Sequence, residues 1–231
     1  MRARPAAAVR SLGATAFAGP TARRCLLALL AIALAGCAAI VDKPVQRALY
    51  DFGPGDDVAA PAPFSLPPLV LSDVETTGAL DGSAVLYRLA YADANELRPY
   101  SQARWSAPPA QLVRQRLREH LGRERVMLSE NESAGLAREG AVLPRVLRVE
   151  LQEFSHLFEA PSQSLGLVRL RVTLLENTPA GEKLLAQRRF GVRRPAGTAD
   201  ATGGVRALAA ATDAAAEEIS QWLRQPGLAR P

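Results

Sequence analysis

Few side chains in this sequence have both the type and the spacing that catalysis needs. The two histidines, His120 and His156, fall in different predicted elements. No His-Glu-x-x-His or Cys-x-x-Cys spacing is present to hold a metal. No Gly-x-Ser-x-Gly elbow offers a nucleophilic serine, and no Walker-type loop offers a phosphate cradle. Lys43 and Lys183 are the only lysines, and neither sits in a motif. Glu150 and Glu153 stand among arginines in a strand-like stretch, which reads as a solvated ladder of opposite charges rather than an acid and a base. The expectation is a protein that is not an enzyme and uses no metal or cofactor. Two thiols remain, Cys25 and Cys37.

Cys37 is the residue with a definite chemistry. Arg23 and Arg24 precede a short apolar run from Cys25 to Ala33, the charged and hydrophobic regions of an export signal. The run falls short of the roughly 20 apolar residues a membrane-spanning helix needs. It ends in Leu34-Ala35-Gly36-Cys37, which resembles the lipobox of bacterial lipoproteins. Small residues at Ala35 and Gly36 admit a peptidase to the backbone, and the Cys37 thiol would take the diacylglyceryl group. An ordinary signal with an incidental cysteine is the alternative. The paired arginines leave the general secretory and twin-arginine routes both open, and the long charged region leaves room for a start downstream of Met1. Each buried acyl methylene contributes roughly 0.8 kcal/mol, so several chains anchor stably. Ala38, not aspartate, follows the cysteine, which favours sorting to the outer membrane. With Cys25 removed and Cys37 acylated, no cysteine is left for a disulfide.

Charge excludes another class. The formal net charge is +5, with a hydrophobic fraction of 48% and a charged fraction of 22%. Arg2, Arg4, Arg10, Arg23 and Arg24 all lie in residues 1–36, which contain no acid, and 23 basic and 23 acidic residues remain in 37–231. A nucleic-acid binder keeps its basic excess in the folded part, so no nucleic-acid partner is expected.

The elements that position these residues follow from pattern. Residues 1–36 read as the signal, 37–68 as the lipidated cysteine with a tether and a Pro/Gly-rich linker, 69–225 as the folded domain, and 226–231 as a disordered tail. Tyr50-Asp51-Phe52 could form a short first strand. Residues 69–74 read as a strand, and Asp81-Gly82 as a turn before a strand with Val85, Tyr87, Leu89 and Tyr91 on one face. Residues 99–106 form a further strand. Pro108-Pro109 opens a helix with Ala110, Val113, Leu117 and Leu121 on one face and Gly122 at its end. Residues 125–128 form a short strand and 129–143 a polar loop. Three strands with clean alternation follow: Leu147, Val149 and Leu151; Val168, Leu170, Val172 and Leu174; Leu184, Ala186, Phe190 and Val192. Asn177 to Gly181 joins the last two as a hairpin. From Val205, the positions Leu208, Thr212, Ala215, Ile219, Trp222 and Leu223 fit a helix, with Thr202 as its candidate N-cap. The fold class is α+β: an antiparallel β-sheet with two main helices packed on one face.

Three surfaces could bind a partner. Phe154, His156 and Phe158 stand on the face opposite Leu147, Val149 and Leu151, unless a bulge near Gln152 returns the phenylalanines to the core. Arg114, Arg118, Arg123 and Arg125 form either a basic face for anionic headgroups or an ordinary solvated helix face. Tyr87, Tyr91, Tyr100 and Trp105 cluster around one loop and either dock a partner or serve as core and rim aromatics.

The stretch Leu80-Asp81-Gly82-Ser83-Ala84-Val85-Leu86-Tyr87-Arg88-Leu89, with Trp105-Ser106-Ala107-Pro108-Pro109-Ala110-Gln111-Leu112, resembles the ABC-type transport auxiliary lipoproteins. Tyr50-Asp51-Phe52-Gly53-Pro54, Val149-Glu150-Leu151-Gln152-Glu153-Phe154 and the carboxy-terminal helix fit the same family, so the resemblance covers nearly the whole mature chain. The scarcity of lysine departs from better-known members. The resemblance implies an outer-membrane-anchored, periplasm-facing lipoprotein that serves a transport system containing an MCE-domain protein, in some cases with an ABC permease and ATPase. Such systems move lipid between the two membranes. Association of the chain with copies of itself is a further implication. Docking through residues 80–109, with Tyr87, Tyr91, Tyr100 and Trp105, is the corresponding site expectation. Two other readings stand beside it: a lipoprotein that carries a lipid or other ligand itself, and a structural lipoprotein of envelope assembly.

Overall fold

The computed structural model describes residue 24 and residues 46–55, 64–76, 78–138, 143–178 and 180–228. The rest of the expected signal, Cys37 and residues 229–231 lie outside the described residues. The chain divides into Met1–Val45 and Gln46–Pro231, and every element below belongs to the second unit.

Among the described residues eight strands form one mixed sheet. In chain order they are β1 (Ala48–Tyr50), β2 (Leu69–Leu71), β3 (Ala84–Leu89), β4 (Arg98–Trp105), β5 (Met127–Leu128), β6 (Arg145–Ala160), β7 (Gln163–Thr178) and β8 (Gly181–Pro195). The helices are a single turn α1 (Ala90–Asp93), α2 (Pro109–Leu121), α3 (Glu130–Arg138) and α4 (Ala201–Leu223), with a 3-10 turn at Gly78–Leu80. β6 organises the sheet. One of its sides pairs with β7, which pairs with β8. Its other side is shared: β2 takes residues 145–147 and β3 takes 156–158, both parallel. β5 continues from β2, and β4 and β1 continue from β3.

The antiparallel expectation holds for the β6–β7–β8 meander and for β3–β4 only. The other four of the seven pairings are parallel. Side-chain alternation reports which face is buried, not which way a neighbour runs, and that is where the expectation failed. β1 pairs with β4, so the folded unit begins well ahead of residue 69.

The main core lies between the sheet and α2 and α4. Leu147, Val149 and Leu151 of β6 join Val168, Leu170 and Val172 of β7 and Phe190 and Val192 of β8. A bulge between Leu151 and Glu153 shifts the register, so Phe154 and Phe158 return to the core face, at 1% and 7% exposure. The exposed apolar patch on Phe154, His156 and Phe158 therefore does not form. A second shift lies opposite Leu174 and Leu175, and it turns Leu184 outward rather than into the core.

α4 lies on β7 and β8 and beside α2. Its buried stripe runs through Val205, Leu208, Thr212, Ala215, Ile219 and Trp222. The N-cap is Asp200 rather than Thr202: the Asp200 carboxylate accepts from Gly203 N at 2.8 Å. The polar stretch after Leu128 contains α3, where a loop was expected. Ser129 and Glu132 close a capping box, with Ser129 N donating to Glu132 Oε2 at 2.6 Å and Glu132 N donating to Ser129 Oγ at 3.3 Å. α3 approaches a small cluster of Val70, Val146 and Leu175 on the other face of the sheet, so the helices do not all share one side.

Candidate functional site

The aromatic residues singled out in residues 80–109 separate into three environments. Trp105 ends β4, is 2% exposed, and meets Phe52 at 5.6 Å and Phe154 at 5.5 Å between ring centres. It is a core residue and presents no surface to a partner. Tyr91 does not continue the β3 face, because the chain turns into α1 at Ala90. Tyr91 is 48% exposed. Tyr87 and Tyr100 lie between these extremes, half-buried and paired across β3 and β4 at 4.6 Å.

Behind the tyrosines stands His156 of β6. Tyr100 Oη lies 2.8 Å from His156 Nδ1, and Phe158 meets the imidazole at 4.4 Å and Tyr87 at 6.1 Å. Burial pushes His156 down to about 4 and pushes the Tyr100 hydroxyl well up, so both are neutral at pH 7. The first turn of α4 closes the cluster. A Cβ on Gly204 would fall 2.4 Å from His156 Nδ1, so only glycine lets the helix approach this ring. Tyr50 Oη shares a hydrogen bond with Thr202 Oγ1 at 3.0 Å. Asp200 is held low by the Gly203 amide and the Thr198 hydroxyl, so the N-cap stays charged. A neutral, packed His–Tyr pair has no free acid or base, and it reads as a joint between the sheet and α4.

Tyr91 is held from below. Arg88 binds both carboxylate oxygens of Glu153, at 3.1 and 3.3 Å, and donates to the carbonyls of Ala94 and Asn95 at 3.4 and 3.2 Å. The pair is largely shielded from solvent, so its two parallel bonds are worth more than an exposed ion pair. It fixes the turn that carries Tyr91.

A cleft of about 730 Å³ opens between the segment after β2 and the first turns of α2. Asp73, Thr76, Asp81, Gln111, Arg114 and Arg118 supply its polar lining. Arg114 Nε sits 3.2 Å from Asp73, and Thr76 donates to Asp81. The two sequence stretches that flank it, 80–89 and 105–112, meet where Trp105 N donates to Ser83 O at 2.8 Å. No single motif announced this cleft; it arises from chain segments some 30 residues apart. Of the two readings of Arg114, Arg118, Arg123 and Arg125, the continuous basic face does not form: Arg114 pairs with Asp73, Arg118 donates to Met127 O, and Arg125, beyond α2, is buried.

Comparison with known proteins follows the same line. The family described as the ABC-type transport auxiliary lipoprotein component matches residues 50–220. The fold is similar to a solved protein of Xanthomonas campestris, with a TM-score of 0.60 and 18% identity, covering 76% of this chain and 93% of that one. A second solved structure, described as an uncharacterized protein, gives a TM-score of 0.54 and 14% identity over 77% of this chain and 99% of its own. At these identities the likeness concerns the fold. No curated protein gives a significant match.

Proposed function

Since the chain belongs to the family of ABC-type transport auxiliary lipoproteins, we propose that it is a non-enzymatic lipoprotein, anchored in the outer membrane through Cys37 and facing the periplasm. There it docks an MCE-type lipid transport complex. The single observation that carries this is the family match over residues 50–220, read together with the lipobox ending at Cys37. The geometry supports a docking role. The exposed Tyr91 lies in the turn whose end Arg88 ties to Glu153 through the Ala94 and Asn95 carbonyls, and the polar cleft beside α2 offers side chains for recognition.

The test is a cross-link of the full lipoprotein in its membrane, followed by capture and mass spectrometry. Recovery of an MCE protein with a permease or ATPase is the expected result. Recovery of only the chain itself, or of secretion and assembly factors, would sink the reading. Tyr91→Ala should leave the fold unchanged, since the residue is half in solvent, and should reduce the captured partner.

A further inference from the structure

β8 is bonded on one side only. β7 is its neighbour, and its other side is an edge of the sheet among the described residues. Edge strands of this length expose a row of backbone donors and acceptors, and proteins usually guard them. From residue 188 to residue 194 the register with β7 runs without a shift. Phe190 and Val192 are buried, so Arg188 and Arg194 share their face, and Arg189 and Arg193 stand on the opposite one.

This row has little to neutralise it. Glu159 reaches Arg193 at 3.4 Å. Arg188 lies over the Phe190 ring at 5.1 Å, and Arg194 donates to the Arg193 carbonyl at 3.1 Å. Among the described residues no carboxylate forms an ion pair with Arg188, Arg189 or Arg194. Arg189 stands directly across from Arg171, which Glu150 already engages. Like charges facing each other across a strand pair cost stability, and the nearby Glu150 carboxylate offsets only part of that cost at Arg189.

We propose that the free edge of β8 over residues 188–194 takes an extended acidic segment of a partner protein, added to the sheet as a further strand. Self-pairing of two β8 edges would set arginine against arginine and is disfavoured. An acidic strand meets the same row with opposite charge while its backbone completes the sheet. The arginines project to both faces of the edge. A flat lipid surface cannot meet both faces at once, whereas a strand places alternate side chains on each. The surface is additional to the docking role above and does not depend on which transport system the chain serves.

The experiment uses the full lipoprotein in phosphatidylcholine nanodiscs and a synthetic peptide repeating Glu-Glu-Thr-Val, with the lysine-for-glutamate peptide as control. The acidic peptide should bind, slow amide exchange along β8, and lose affinity as salt rises. Joint Arg188→Glu and Arg189→Glu substitution should weaken it about tenfold or more. Arg189→Glu places a carboxylate opposite Arg171, so loss of binding will not reflect loss of fold. Arg206→Glu, on exposed α4 surface, should leave binding unchanged. Equal binding by the reversed variant, or binding without β8 protection, overturns the proposal. Protection of β8 by phosphatidylglycerol nanodiscs without peptide overturns it in favour of a lipid surface.

Discussion

His156 joins strand, strand and helix through one ring, and its protonation state is therefore a property of the fold. Its pKa falls from 6.5 to about 4, chiefly through burial. As pH drops through that interval the unfolded chain binds a proton that the folded chain refuses. Stability contributed by this group is full above 6.5, declines toward 4, and levels off below, a change on the order of 3 kcal/mol. Urea midpoints at pH 7 and pH 5 should differ in the wild type and differ less in His156→Gln. An unchanged difference would assign the effect elsewhere. His120, also lowered by burial, keeps part of the slope. The same ring sets a steric rule. Gly204→Ala should cost about 1–3 kcal/mol, and His156→Ala should abolish that cost in the double variant. Gly166→Ala should have no such rescue, because its Cβ would meet the backbone of Ala207 and Leu208 at 2.5–2.7 Å. Thermal denaturation of the three single variants, the two doubles with His156→Ala and the wild type decides both points. At this scale the sequence was legible for composition and silent on placement. Trp105 and Tyr91 look alike as aromatics near a loop, and only the folded chain shows that one is core and the other surface.

Elements were read well where periodicity was long. The alternation in β6, β7 and β8 and the 3.6-residue stripe of α4 each repeat often enough to outweigh local noise. Where signals were short, local chemistry decided instead. α3 has few apolar residues and reads as a loop, and only the folded chain shows the Ser129–Glu132 capping box at its start. Thr202 looked like a cap, but Asp200 is better placed: its side chain ends in a carboxylate that accepts from Gly203 and stays ionised. Asp200→Ala should therefore destabilise the protein, read as a lower urea midpoint with an unchanged slope. Thr202→Ala should cost less, losing only the bond to Tyr50.

The whole molecule was the least legible scale. Two short strands, β2 and β3, share one side of β6, and both run parallel to it. Parallel pairing joins segments distant in sequence, and nothing in residues 69–71 or 84–89 names its neighbour. The same is true of the cleft beside α2. One feature at this scale has a mechanical side. The chain enters the sheet through β1, three residues paired in parallel with β4. Just behind it Phe52 packs on Trp105 and Phe154, and the Phe52 carbonyl accepts from Arg116 of α2 at 2.5 Å. Any pull arriving along the backbone from before Gln46 loads this short ladder end-on, so its bonds share the tension, and then reaches the aromatic plug. β1 is thus the strap on which the folded unit would take up such a pull, and the plug behind it is the knot that keeps the strap from slipping.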